Sequence, residues 1–246
     1  MLKTVDMLGL PFVHSDMEHL VSDLDNRLQR AQNTFLVTVN TEIIMYARKH
    51  EGYFGILKEA DLITPDGVGI IMASRIFGSP IEERLTGYDL MMSLFHLASD
   101  KGYKIYLLGA EPPIIEEAVD RAKKDFPTLR LAGYHHGYFD FEDDTILEDI
   151  QSAEPDIVLV GLGVPRQEQW INSNRKKFKK GLFIGVGGSF DGLAGKVKRA
   201  PLIWQKLNIE WLYRLIQRPS RWKRMTVLPV FLIRVMLARL VGKRQF

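Results

Sequence analysis

The chain has no cysteine, which excludes a disulfide framework, a thiolate metal site and a cysteine nucleophile. It also has no long hydrophobic run. The nearest approach, Val227 to Val241, is broken by Pro229, Arg234 and Arg239 and falls short of the ~20 apolar residues that a spanning helix needs. Its composition favours lying on a bilayer over crossing one. The opening MLKTVDMLGLPFVHSDMEHL lacks the apolar centre of a signal peptide, which points to a cytoplasmic protein. No segment repeats at a fixed period. The nucleotide fingerprints are incomplete too. Gly161-Leu-Gly163 lacks the third glycine of the dinucleotide motif, and no G-x-x-x-x-G-K-[ST] occurs, which argues against a P-loop triphosphatase.

Acid is missing from the C-terminal end. Residues 196–246 carry thirteen Lys and Arg against a single acid, Glu210. The whole chain holds 33 basic and 30 acidic residues, so residues 1–195 keep 20 and 29. An acidic body with a tail of charge +12 implies an anionic partner. The tail is also apolar. Leu202, Ile203, Leu207, Trp211, Leu212, Leu215 and Ile216 recur at helical spacing, and Val227–Val241 continues the pattern. A basic, Trp-bearing amphipathic segment suits a membrane surface better than a nucleic acid.

The 246 residues suffice for one large domain with an appendage. Short apolar runs alternate with amphipathic segments, the signature of a Rossmann-like, mostly parallel α/β sheet flanked by helices. Strands are predicted at 35–39, 61–63, 104–108, 129–132, 157–160 and 182–184. Helices are predicted at 16–31, 41–50, 67–77, 88–100, 112–125, 143–152 and 167–178, the first opening with a capping box from Ser15 to Glu18. The alternation stops near Gly195, dividing the chain into a catalytic domain, 1–195, and a basic amphipathic helical appendage, 196–246.

In such sheets ligands bind beyond the carboxyl ends of the strands. The residues there are Asn40-Thr-Glu42, Thr64-Pro-Asp66-Gly67, Gly109-Ala-Glu111, His135-His-Gly-Tyr138, Gly161 to Glu168 and Gly185 to Asp191. Six loops on one edge, five of them bearing glycine, describe a cleft. Asp66 can act as a general base or as the N-cap of the helix that follows. Adjacent His135 and His136 would point to opposite faces of a strand and lack a third ligand at metal spacing. Asp140, Glu142, Asp143 and Asp144 read as a solvated helix start. No metal and no cofactor is expected. A diphosphate leaving group would then need arginines, which Arg84, Arg214, Arg218, Arg221 and Arg224 can supply.

The motifs Thr38-Val-Asn40-Thr-Glu42, Pro65-Asp66-Gly67-Val-Gly69, Arg84-Leu-Thr-Gly87-Tyr-Asp89, His136-Gly-Tyr138-Phe, Gly161-Leu-Gly163-Val-Pro-Arg166-Gln167-Glu168, Gly185-Val-Gly187-Gly188-Ser-Phe-Asp191, Gly195-Lys-Val-Lys-Arg199-Ala-Pro201 and Glu210-Trp-Leu-Tyr-Arg214 together resemble the TagA/WecG/CpsF family of bacterial glycosyltransferases. The match runs over nearly the whole chain. Arg166 stands where the family often has lysine, and the loop after Asp191 is a variable one. The resemblance implies a metal-independent, inverting transferase at the cytoplasmic membrane face. It would move an N-acetylmannosamine-type sugar from a UDP donor to undecaprenyl-diphosphate-linked N-acetylglucosamine in teichoic acid or surface polysaccharide assembly; a hexose or uronic acid donor is the alternative. It assigns Asp66 as the base, puts Thr38, Asn40, Arg84 and Gln167 around the substrates, and brings Arg214, Arg221 and Arg224 to the donor diphosphate. The loops at Gly163, Gly187 and Gly188 are expected to hold uridine diphosphate by backbone N–H groups, with Tyr138 and Asp191 beside them.

Two rivals come from other classes. A non-catalytic RNA- or nucleotide-binding module would stack bases on Trp204, Trp211, Tyr213 and Trp222, but these sit in an apolar stripe. A phosphate-ester hydrolase would use Asp66 with the histidines, and it would need a metal or a nucleophile. The reading adopted has a polyprenyl-linked acceptor, a membrane surface, no nucleic acid, and an apolar tail that favours a homo-oligomer.

Overall fold

The computed structural model describes residues 2–197, 201, 204, 213 and 226–242. Its centre is an eight-stranded sheet. The strands are β1 (Thr4–Met7), β2 (Leu10–Val13), β3 (Asn33–Val39), β4 (Leu62–Pro65), β5 (Lys104–Gly109), β6 (Arg130–His135), β7 (Ile157–Gly161) and β8 (Gly181–Gly185). They run in the order β1-β2-β4-β3-β8-β7-β5-β6. Every pair is parallel except the hairpin β1–β2.

The helices are α1 (Met17–Gln29), α2 (Thr41–Ala47), α3 (Glu51–Lys58), α4 (Val68–Ile76), α5 (Gly87–Lys101), α6 (Pro112–Asp125), α7 (Thr145–Ala153), α8 (Arg166–Asn174), α9 (Ser189–Leu193) and α10 (Val227–Leu240). They cover both faces of the sheet. Because side chains alternate along a strand, Phe35, Val37 and Val39 of β3 join the core under α2, α3, α4, α7, α8 and α10. Leu36 joins the opposite core under α1, α5, α6 and α9. Strands buried on both faces read as continuous apolar runs, and so β3, β5, β7 and β8 were legible.

The expected α/β architecture is present, with some differences. The hairpin β1–β2 was not foreseen: its turn is Leu8-Gly9, both at positive φ (57° and 76°), without the Asn-Gly or Asp-Gly signal. Pro11 within β2 also argues against a strand. Helix α3 was missed because Gly52 and Gly55 weaken it. Burial of Tyr53 and Leu57, one turn apart, overrides that cost. The capping box is displaced by one residue. Asp16, not Ser15, caps α1, accepting from the His19 N–H at 2.8 Å.

Helix α10 returns to the body and packs on α4 and α2. Phe231, Val235 and Ala238 form its inner stripe and share the core of that face. Its outer side is also apolar, with Val230, Ile233, Met236, Leu237, Leu240 and Val241 exposed. An amphipathic helix was expected here; α10 is apolar on both faces, with Arg234 and Arg239 interspersed. No helix among the described residues is long and apolar enough to cross a membrane.

Candidate active site

The carboxyl ends of β3 and β8 meet at the middle of the sheet, where β3 and β4 adjoin β5 to β8. Thr38 lies at this seam. It is buried, and its hydroxyl donates to the Gly185 carbonyl at 3.1 Å, tying the two strand ends together. It was expected around the substrates; here its hydroxyl proton is given to protein. Gly87 packs on it: a Cβ there would stand 3.2 Å from Thr38 Oγ1.

Asn40 caps α2, its Oδ1 accepting from the Ile43 N–H at 3.0 Å. Asp66 follows β4, half-buried, and its N–H donates to the Val39 carbonyl at 2.9 Å. It is not the cap of α4. That position is Gly67, with φ 96° and ψ 147° and no side-chain cap. Only glycine adopts this backbone readily, and it puts Asp66 one residue ahead of the capping position. A Cβ on Gly67 would be 3.6 Å from that of Asn40, so Asn40 and Asp66 are neighbours. Arg84 enters from the next loop, where the Leu85 N–H donates to the Pro65 carbonyl at 3.0 Å.

On the other side of the seam, Gly163 and Gly187 have φ values of 76° and 54°, and a Cβ at either would meet nothing within 4 Å. Both face open space, as expected of a loop that a ligand approaches. The hydrogen bonding of Gly187 differs from expectation. Its N–H donates to Gln167 Oε1 at 3.0 Å and is not offered to a ligand. Gln167 is 2% exposed and donates from Nε2 to Glu168 Oε1 at 2.7 Å. It was expected to touch the substrate, and instead it braces the turn from below. Glu168 is fully buried, and desolvation pushes its carboxyl pKa up to about 7. Gly188 is exposed, and a Cβ there would lie 3.5 Å from Asp191 Oδ2. The carbonyl of Asp191 accepts from the N–H groups of Lys196 and Val197 at 3.0 and 3.3 Å, so the basic segment leaves the body at the rim of the crevice.

The edge continues to β6. The Gly137 N–H donates to the Ala110 carbonyl at 2.8 Å, and Tyr138 stands 64% exposed with its hydroxyl 3.5 Å from Glu111 Oε1. The rings of His135 and His136 lie 4.2 Å apart. They do not straddle the sheet, because β6 ends at His135. Arg166 lies over the Phe141 ring at 4.9 Å. Asp140 and Asp143 accept local backbone N–H groups at Glu142 and Thr145, which accounts for two of the four clustered acids.

Thr38, Asn40, Asp66, Arg84, Gln167, Gly163, Gly187, Gly188 and Asp191 thus share one edge of the sheet, with Tyr138 further along it. Arg214, Arg221 and Arg224 lie outside the described residues, as do Trp211 and Trp222. Trp204 and Tyr213 meet each other, ring centroids 5.5 Å apart. Two contributors were not singled out from sequence, Glu168 and Tyr53. Glu168 had been read only as part of a motif, and no periodicity signals that Tyr53 will face it across the helix pair α3–α8.

The profile of the "Glycosyl transferase WecG/TagA/CpsF family" matches residues 5–245. An N-acetylglucosaminyldiphosphoundecaprenol N-acetyl-beta-D-mannosaminyltransferase of Bacillus spizizenii is 38% identical over 236 residues, 96% of this chain and 91% of its own length. A protein of the same name from Staphylococcus aureus strain MW2 is 36% identical over 237 residues, 96% of this chain and 93% of its own. The chain belongs to the WecG/TagA/CpsF family of glycosyl transferases.

Proposed function

We propose that this glycosyltransferase moves an N-acetylmannosaminyl residue from a UDP donor to undecaprenyl-diphosphate-linked N-acetylglucosamine, with Asp66 as the general base. The observation that carries the reading is the placement of Asp66. It is a half-buried acid one residue ahead of the Gly67 cap of α4, at the seam of the crevice. The relatives named for this transfer match the chain over almost its full length.

In the proposed step the acceptor hydroxyl attacks the anomeric carbon of the donor. Its oxygen forms the new C–O bond as the bond to the diphosphate breaks. The proton passes to Asp66, and the electron pair leaves with uridine diphosphate. One displacement inverts the anomeric centre. Arg84, with Arg214, Arg221 and Arg224, neutralises charge developing on the leaving group. The open side of Gly163 and Gly187 admits the diphosphate, and Tyr138 and Asp191 border it.

The appendage 196–246 is assigned two tasks. It brings the arginines to the crevice, since it departs beside Asp191 and returns as α10 on α4, the helix that begins after Asp66. It also docks on the membrane that carries the lipid acceptor, through the exposed apolar face of α10 and the surrounding positive charge. Off the membrane the same face favours self-association.

The test is a transfer assay with a short-chain lipid-diphospho-N-acetylglucosamine, a panel of UDP-sugars and a chelator, read by mass spectrometry. A lipid-linked disaccharide from UDP-N-acetylmannosamine is expected. Product from only a hexose or uronic acid donor would replace the sugar assignment. Product that disappears with chelator would overturn the metal-free mechanism.

A further inference from the structure

Glu168 is a buried acid that the transfer step above does not use. It sits in the first turn of α8, fully buried. Its Oε1 accepts from Gln167 Nε2 at 2.7 Å, and Gln167 Oε1 accepts from the Gly187 N–H at 3.0 Å. The direction of this chain is fixed by its ends. A backbone N–H can only donate, so the amide oxygen must face Gly187 and the amide nitrogen must face Glu168. Contact is close here: a Cβ on Gly185 would come within 2.6 Å of Gln167 Nε2 and 3.2 Å of Glu168 Oε1. On its other side Glu168 faces Tyr53 of α3, near enough for each to perturb the other's charge. The contact between Glu168 and the Tyr53 hydroxyl is looser than a well-formed hydrogen bond, so the 2.7 Å bond to Gln167 is the tight one that Glu168 makes toward the turn.

We propose that Glu168 is a positioning residue for donor binding: through Gln167 it locks the Gly185–Gly188 turn in the shape that receives the donor diphosphate. The assignment rests on the donor reading above. It gives Gln167 a bracing role in place of direct contact with the sugar.

The experiment measures UDP affinity by calorimetry and donor KM and kcat for five proteins: wild type, E168Q, E168L, Q167E and the double variant Q167E/E168Q. E168Q keeps an acceptor for Gln167, so UDP affinity and donor KM should stay within about twofold of wild type. E168L removes the acceptor and releases the amide. Its Kd for UDP and its donor KM should rise about tenfold, the equivalent of one lost buried hydrogen bond, with kcat changed less than about twofold. Q167E, assayed at about pH 8.5, above the raised Glu168 pKa, sets two carboxylates against each other and should weaken UDP to a similar degree. Adding E168Q to it turns the pair round: the introduced amide donates to the introduced carboxylate, which still accepts from Gly187. Affinity should then recover to within about twofold of wild type. A purely packing role predicts a lower melting temperature with KM unchanged and no recovery in the double variant. If E168L does not fold, the swap decides. Wild type that binds UDP, with Q167E unaltered or not rescued by the swap, would overturn the relay alone. Wild type that binds no UDP would overturn the donor reading and this assignment with it.

Discussion

Asp66 and Glu168 are both carboxyl groups near one crevice, and their surroundings separate their tasks. Asp66 is half-buried near Asn40 and ahead of α4, and the proposed step gives it the acceptor proton. Asp66→Asn should preserve folding and UDP binding while lowering kcat by ~10²–10⁴-fold, the usual contribution of a general base; turnover near wild type in the transfer assay would reject the assignment. Glu168 is sealed among protein groups, with Tyr53 facing it and Tyr46, itself stacked on His50, beyond Tyr53. Burial raises its pKa from 4.5 to about 7. A carboxyl raised in the folded state holds its proton there while the unfolded chain has lost it, so folding is favoured at low pH. That advantage is lost as pH rises from about 4.5 through about 7. Wild type should therefore lose stability relative to E168Q between pH 5 and pH 8, by roughly 3 kcal/mol at most. Urea unfolding of both proteins across that range checks it, and parallel pH profiles would show that Glu168 is ionised when folded. Asp66 was legible in sequence because a strand, Pro65 and Gly67 frame it. Whether it capped the helix was decided only by the backbone at Gly67. Glu168 was present in a recognised motif, but its burial depends on Tyr53, which lies 115 residues away in the chain.

At the scale of elements, α10 is seated on α4, the helix that follows Asp66. Leu228 and Thr41 stand where a Cβ of Gly69 would fall, so α10 approaches α4 with room only for hydrogen. Gly69→Val should unseat α10 with the sheet intact, seen as faster amide exchange across 227–240 and unchanged protection in β3 and β8. Equal protection of α10 in both proteins would mean that the contact is not required. Phe231 is fully buried beneath the same helix. Phe231→Ala should cost about 3–5 kcal/mol in urea unfolding; a loss below about 1 kcal/mol would place α10 outside the cooperative core. The helices with strong signals, Pro112 at the start of α6 and Thr86 capping α5, were predicted to within a residue or two. Helix α3 and the hairpin β1–β2 were not, because Gly52, Gly55, Leu8 and Pro11 oppose them locally. Only packing against the rest of the fold makes these elements favourable.

Across the whole molecule, the acidic body and the +12 tail put opposite charges on the two parts of one chain. The proposed membrane contact combines that charge with the apolar outer face of α10. Binding to vesicles containing anionic lipid should therefore weaken, without vanishing, between about 0.05 and 0.5 M salt, since screening removes the electrostatic part and leaves the apolar part. Co-sedimentation measures this, and binding wholly abolished by salt would remove α10 insertion from the account. Binding equal for neutral and anionic vesicles would instead remove the charge.

The amino-acid sequence by itself determined the class of fold, because strands buried on both faces must be apolar throughout and their flanking helices must repeat at 3.6 residues. It also determined that the candidate residues share one edge of the sheet, since they follow strand ends, and the division of charge between body and tail. The tertiary structure decided which polar groups are available. Thr38, Gln167 and the Gly187 N–H all sit at the predicted crevice, and all three are bonded to protein. A hydrogen-bond partner brought in from another strand or helix leaves no trace in local pattern, so a residue's position could be read from sequence while its freedom to meet a ligand could not.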